Sequence, residues 1–360
     1  MHFNFSLYDS QPKKGKKELP IWLDFIELQC LIHKDKTVSR SEVYDVIFNE
    51  GDEITDSIQN HNGEDDENLD QLDSIVIDDD VEDLNSYDDR NNQVIRNWYA
   101  GLASRYNLIG EFYPFIVNEK EGTIQLKPNL TNSNKLYIYL LLAGSLRIFS
   151  KQVQGKLTAD FEFLSIEAQT RMFPQLSNGI TSYTYGFGKN PEGTGIFVGS
   201  LENKLKTLAE KISCKNLETS YIGQLNSGDY GLDVISFIKF DDDVFGLPVI
   251  IAQSACSYQD WIKKQWDHHP GRYRALNIFP FDYIRLMMIP FYYRDNNGQW
   301  FNPSVIYQTV IIDRLRFIKI FHNDDVLSER INAWVNLILE DDERTREIRA
   351  IEIVNRTVAA

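Results

Sequence analysis

Two polar side chains stand at the ends of two apolar segments, where they could bind a metal ion together. Asp233 lies at the start of residues 232 to 240, a run rich in β-branched and aromatic residues that predicts a β-strand. Gln253 follows residues 247 to 252, a nearly all-apolar run typical of a buried strand. If these strands pair across the aspartates at 241 to 243, the carboxylate and the amide meet at one end of the sheet. Such hard oxygen ligands suit Mg²⁺.

These segments resemble the PD-(D/E)XK restriction-endonuclease-like nuclease superfamily. Residues 228 to 235, Gly-Asp-Tyr-Gly-Leu-Asp-Val-Ile, are similar to the family's glycine-rich approach to its metal-binding Asp. Residues 250 to 255, Ile-Ile-Ala-Gln-Ser-Ala, are similar to the second half of its motif. The resemblance covers residues 200 to 290 and rests on short segments in the expected strand context.

The resemblance implies a set of metal ligands. Asp233 would be the principal ligand of Mg²⁺ or Mn²⁺, and Gln253 the second. The backbone carbonyl of Ser254 would complete the protein ligands, and Glu202, on a predicted helix before the strands, would support them. A metal in such a site polarises a phosphodiester and lowers the pKa of a bound water.

A lysine that the family places after its second ligand is missing, because this position holds Ala255. In such a site the lysine orients the attacking water and stabilises the developing charge. Lys263 and Lys264 lie on the helix predicted directly after the strand, from which a long side chain could reach back over the strand ends. We therefore expect one of these two to replace the missing lysine.

Other cationic side chains are candidates for contacts with a nucleic-acid backbone. Phosphate contacts fix a protein's position on nucleic acid without reading its sequence. One group follows the second strand and the other lies in the N-terminal region. The candidates are His268, Arg272 and Arg274 in the first group, and Arg96, Arg105 and Lys120 in the second.

The N-terminal region resembles a winged helix-turn-helix. Ser39 and Glu42 have the spacing of a capping box and predict the start of a helix. Further helices are predicted at 19 to 33 and 90 to 105, and short strands at 111 to 117 and 123 to 127. Winged helices contact DNA but also dock other proteins, and both interpretations are open for this region.

The net charge of −16 comes from one segment. Residues 51 to 89 contain 16 Asp or Glu and neither Lys nor Arg, so the rest of the chain is neutral overall. This composition predicts a flexible acidic insertion. It is either a solvated loop or a polyanion that occupies a DNA-binding groove and restrains activity.

Several classes of protein are disfavoured by the sequence. The three cysteines are scattered, which favours a reducing cytoplasm over a disulfide framework and, without a CxxC pair, argues against structural zinc. No apolar run is long enough to span a bilayer, so no membrane partner is expected. The glycine-rich loop at 186 to 195 does not fit a nucleotide-binding pattern.

The sequence thus predicts an α/β (α+β) protein. The expected organisation is a mostly helical winged-helix-like region (1 to 130) with its acidic insertion, a helical connector (131 to 199), a restriction-endonuclease-like core with a mixed sheet flanked by helices (200 to 322), and closing helices (323 to 360). The expected function is a Mg²⁺-dependent endonuclease acting on DNA in bacterial restriction or anti-phage defence. The alternatives are an inactive nuclease-like subunit that binds DNA or protein, and a structural subunit. Other defence subunits, or a second copy in a homodimer, are the expected protein partners.

Overall fold

A computed structural model describes residues 19–49, 84–173, 180–188, 195–220, 222, 229–240, 242–322, 328–340 and 343–355. The predicted basic N-terminal tail, most of the acidic segment and much of the glycine-rich loop lie outside these residues. Residues 84 to 89, at the end of the acidic segment, belong to a helix.

The N-terminal part is mostly helical and carries a small antiparallel sheet. The described elements are α1 (Leu19–Ile32), β1 (Thr37–Ser39), α2 (Arg40–Tyr44), α3 (Leu84–Ile109), β2 (Phe115–Asn118) and β3 (Thr123–Leu126), with strand order β1-β3-β2. The predicted capping box is confirmed. The Glu42 carboxylate accepts from the Ser39 backbone N–H at 2.7 Å, and the Ser39 hydroxyl accepts from the Glu42 N–H at 3.3 Å.

A mixed five-stranded sheet forms the centre of the described C-terminal part, as the sequence predicts. Its strands are β4 (Thr181–Gly186), β5 (Val234–Lys239), β6 (Val249–Ser254), β7 (Ile284–Met288) and β8 (Val310–Ile312), in that order. The first three pair antiparallel, and β6, β7 and β8 pair parallel. Strand β4 lies before residue 200, within the segment expected to be a helical connector.

Helices cover the sheet. Residues of α1, α3 and the sheet, for example Phe25, Tyr99 and Ala252, belong to one continuous cluster of buried side chains. A single hydrophobic core therefore joins the N-terminal part to the sheet. The further helices are α4 (Asn132–Ala143), α5 (Lys151–Met172), α6 (Leu201–Lys211), α7 (Trp261–Lys264), α8 (Pro270–Tyr273), α9 (Arg314–Phe321), α10 (Glu329–Leu339) and α11 (Glu343–Asn355).

A buried charge network also links the two parts. Arg105 of α3 donates to Asp24 and Glu27 of α1, at 2.7 Å in each case. Arg314 of α9 donates to Asp24 at 2.7 Å. Burial opposes the charged form of Arg105, but Glu27 and Asp24 outweigh it and raise the pKa of its guanidinium. The network therefore has a structural role and ties α1 and α3 to α9. No helix of the described segments is both long and apolar enough to cross a membrane.

Candidate metal-binding site

The hairpin of β5 and β6 brings Asp233 and Gln253 together, as the sequence predicts. Val234 of β5 pairs with Ala252 of β6. Asp233, which precedes Val234, therefore lies opposite Gln253, which follows Ala252. Both side chains are buried, with 6% of Asp233 and 5% of Gln253 exposed. The backbone N–H of Ser254 donates to Asp233 Oδ2 at 2.7 Å and fixes that carboxylate.

Two further carboxylates, which sequence reasoning missed, lie beside Asp233. They are Glu162 of α5 and Asp229 of the turn before β5. Burial raises the pKa of Asp233 well above its usual range, and the negative charges of Glu162 and Asp229 raise it further. Burial, followed by the charge of Asp229, raises the pKa of Glu162 to about 7. Glu162 and Asp233 therefore resist simultaneous ionisation.

Gly188 leaves open a space that Glu162 and Asp233 share. A Cβ at Gly188 would lie 3.7 Å from Glu162 Oε2 and 4.0 Å from Asp233 Oδ1. Lys204 of α6 holds this turn, because its Nζ donates to the carbonyls of Phe187 at 3.0 Å and Gly188 at 3.3 Å. The absence of a side chain at 188 keeps room for a small ligand between the two carboxylates.

The structure separates the two candidate lysines. Lys264 is partly buried, and its positive charge lowers the pKa of Glu162 against the larger effect of burial. Lys263 is exposed to solvent. Trp261, fully buried against Tyr293 with ring centroids 4.9 Å apart, anchors the short helix α7 that carries both lysines. Of the two, Lys264 is therefore the lysine near enough to act electrostatically on Glu162.

The surroundings of Ala255 are unsuited to a lysine side chain. It is 1% exposed and belongs to an apolar cluster with Trp261 and Met287. An ammonium group there would be desolvated among apolar side chains at a high cost in free energy. The lysine on α7 instead approaches the carboxylates from a partly solvated position.

An unsatisfied acceptor lies at the end of β6. Within the described part of the chain, Gln253 Oε1 and Ser254 Oγ are buried without a hydrogen-bond partner. An orphaned buried polar atom destabilises the fold and calls for an explanation. A cation held by Gln253 Oε1 and the neighbouring carboxylates would satisfy the amide oxygen and also relieve the carboxylate repulsion.

These residues fit a hard divalent cation. Among the described residues, no group of three or more His, Cys, Asp or Glu side chains forms a ready metal cage. The donor set is instead mixed: the Asp233 and Glu162 carboxylates, the Gln253 amide oxygen and the backbone carbonyl of Ser254. All are oxygens, the ligand type of Mg²⁺ and Mn²⁺.

Three of the predicted site residues lie elsewhere. Glu202 is half-exposed and pairs with Lys206 at 2.7 Å, whereas the carboxylate whose charge acts on Asp233 is Glu162. Arg105 is 2% exposed because it lies in the buried charge network. The prediction that Arg105 contacts phosphate is therefore wrong. His268 is fully buried, which excludes a contact with phosphate at the surface and lowers the pKa of its imidazole to about 3.

The remaining predicted cations are exposed. Arg96, Lys120 and Arg274 face solvent. Arg272 donates to Asp267 at 3.2 Å, and its guanidinium lies 4.7 Å from the centroid of the Tyr230 ring, next to Asp229. Arg272 therefore lies beside the turn that carries Asp229.

Comparison with protein families, with curated proteins and with solved structures gave no match.

Proposed function

We propose that this protein is a metal-dependent nuclease that hydrolyses phosphodiester bonds of nucleic acid, with DNA as the expected substrate. The observation that carries the proposal is the set of buried Asp233 and Gln253 with partly buried Glu162, on which the charge of Lys264 acts. Two carboxylates that resist joint ionisation, next to an orphaned amide oxygen, are poised for a divalent cation.

Each residue has a role in this proposal. Asp233, Glu162 and Gln253 would hold Mg²⁺ or Mn²⁺, which supplies a Lewis acid and lowers the pKa of a water nucleophile. The Ser254 N–H keeps Asp233 oriented toward the site. The Lys264 ammonium would orient the attacking water and stabilise negative charge on the phosphate oxygens in the transition state.

The resemblance to restriction-endonuclease-like nucleases supports the same reaction. That family's habits also support a role as the effector of a bacterial restriction or anti-phage defence system. In this role, exposed cations such as Arg272 and Arg274 would hold the phosphate backbone near the carboxylates.

The test is a cleavage assay with plasmid DNA, single-stranded DNA and RNA, each with Mg²⁺, Mn²⁺ or EDTA. We expect cleavage with either metal and none with EDTA. Asp233→Asn should abolish cleavage. Asp243→Asn, in the β5–β6 turn with a side chain that is 91% exposed, is the matched control and should cleave normally. Cleavage by the Asp233 variant at the wild-type rate would refute the proposed site.

An inactive, nucleic-acid-binding subunit is the second candidate, and Ala255 in place of the family's lysine favours it. The two candidates differ in turnover. Metal and nucleic-acid binding without cleavage of any substrate would support the inactive subunit.

A further inference from the structure

The segment after Lys264 exposes an aromatic surface. Trp266 is 51% exposed, whereas the chain's other tryptophans are buried or half-buried. Its ring centroid lies 5.4 Å from that of Tyr307, which is also exposed, and 5.2 Å from that of His269. The ring planes are inclined by 40° to His269 and 36° to Tyr307, so both rings pack against the Trp266 indole. We call Trp266, His269 and Tyr307 the aromatic platform.

The segment that carries Trp266 and His269 is rich in positive charge. Residues 261 to 276 contain four Lys or Arg and one acidic residue, Asp267. Lys263, Arg272 and Arg274 of this segment are exposed. Cations near exposed aromatic rings complement the phosphates and the bases of a nucleic-acid strand.

Trp266 of the aromatic platform lies close to Lys264 in the chain. Trp266 is two residues from Lys264, so their Cα atoms are at most about 7 Å apart. Two backbone hydrogen bonds fix the turn. The backbone N–H of Trp266 donates to the Lys263 carbonyl at 3.0 Å, and the backbone N–H of His269 donates to the Trp266 carbonyl at 3.2 Å. A strand whose phosphate lies at the carboxylates could therefore place a neighbouring base on Trp266.

We propose that the aromatic platform binds bases of single-stranded nucleic acid by stacking. The inference rests on the proposed function and specifies its substrate class. In a duplex, the base faces are covered by neighbouring bases, whereas in a single strand they are free to stack on aromatic side chains. The aromatic platform therefore selects single-stranded segments, while the nearby cations hold the backbone.

The test measures binding in EDTA, so that no strand is cut. Labelled single-stranded oligothymidylate and a labelled duplex are titrated with the full chain. We expect the wild type to prefer the single strand and Trp266→Ala to bind it about tenfold more weakly, as loss of one stacked base implies. Trp266→Phe should restore most of the affinity. Oligothymidylate should also quench the wild-type tryptophan fluorescence, because Trp266 is the exposed indole.

Phe281→Ala is the matched control. Phe281 is 54% exposed and lies against Gly246, in the turn at the opposite end of β5 and β6 from Asp233. Its loss should leave single-strand affinity unchanged. Equal binding by Trp266→Ala and wild type, equal affinity for the duplex, or no binding of the single strand would overturn the proposal. The proposal would also be overturned if Trp266→Ala abolished self-association of the protein but left its affinity for the single strand unchanged. The surface would then dock a second copy of the chain.

The outcomes also separate this inference from the proposed function. Asp233→Asn should bind oligothymidylate normally in EDTA and fail to cleave it with Mn²⁺. Binding that depends on Trp266 in a protein without nuclease activity would refute the nuclease and keep the aromatic platform. Metal-dependent cleavage that is indifferent to Trp266, in both affinity and rate, would keep the nuclease and refute the aromatic platform.

Discussion

Glu162 and Asp233 come from a helix and a strand separated by 71 positions in the chain, yet their carboxylates face one small space. Glu162 Oε2 and Asp233 Oδ1 lie 3.7 Å and 4.0 Å from the point where a Cβ on Gly188 would stand. Burial raises the pKa of both carboxylates, and the negative charge of Glu162 raises the pKa of Asp233 further.

The first prediction concerns stability against pH. Glu162 has a folded-state pKa of about 7, above the ordinary value of 4.5, so the fold favours its protonated form. The contribution of protonated Glu162 to the unfolding free energy is fully present below pH 4.5. This contribution, on the order of 3 kcal/mol, is lost as the pH rises through 7. In EDTA, Glu162→Gln should remove this part of the pH dependence and unfold at a higher temperature than wild type at pH 8.

Mn²⁺ should reverse that order. A cation that neutralises the carboxylates should raise the melting temperature of the wild type at pH 8 and affect Glu162→Gln less. Glu202→Gln, at the half-exposed carboxylate paired with Lys206, is the matched control and should behave as wild type. Identical pH and Mn²⁺ responses of wild type and Glu162→Gln would contradict the account. Differential scanning fluorimetry gives all of these melting temperatures.

The two lysines of α7 should behave differently. Lys264 faces Glu162, whereas Lys263 is exposed. Lys264→Ala should lower the cleavage rate by about a hundredfold or more, since one charge-stabilising donor is typically worth that much. Lys263→Ala should change the rate by only a small factor, through weaker backbone contact. Single-turnover cleavage rates decide between them, and equal losses in the two variants would reject the assignment of Lys264.

Gly188 provides a steric test of the site. An Ala side chain there would make ordinary contacts of 3.7 Å and 4.0 Å with Glu162 and Asp233, so Gly188→Ala should keep much of its metal binding. Gly188→Leu should fill the space between the carboxylates and abolish Mn²⁺ binding without unfolding the protein. Titration calorimetry with Mn²⁺, alongside circular dichroism, measures both properties. Unaltered Mn²⁺ affinity in the Leu variant would place the metal elsewhere.

The buried charge network should matter for stability rather than for nucleic-acid binding. Arg105→Ala would leave Glu27 and Asp24 buried with less compensation, which costs about 3 to 5 kcal/mol of unfolding free energy. Arg96→Ala, at an exposed position of the same helix, should change it by less than about 0.5 kcal/mol. Urea denaturation followed by fluorescence tests this pair. A fully stable Arg105→Ala protein that binds DNA more weakly would restore the discarded interpretation.

The hairpin was predictable because its signals are local. Strand composition, a tight acidic turn and a polar residue at each strand end are all read within 30 residues, and the register follows from antiparallel pairing. The sequence also limits the proposed substitute for a lysine at position 255 to two neighbours, Lys263 and Lys264. The choice between these two lysines depends on how the four-residue helix α7 is rotated about its axis. The buried Trp261 sets that rotation.

The rest of the site depends on long-range packing. Glu162 is one polar residue on the flank of a long helix, and no spacing in the sequence relates it to Asp233. Strand β4 escaped detection because its Thr-Ser-Tyr-Thr-Tyr segment is short and half-buried throughout. Arg105 looked like a surface cation because its partners, Asp24 and Glu27, lie about 80 residues away on another helix.

The most direct test of the account is the rate at which Asp233→Asn cleaves a labelled oligonucleotide in Mn²⁺, measured beside wild type and Asp243→Asn. The account predicts cleavage by wild type and by the turn control at similar rates, loss of both in EDTA, and no cleavage by Asp233→Asn in either condition. Equal cleavage by all three proteins, or cleavage that EDTA leaves unchanged, would contradict a metal-dependent reaction at this site.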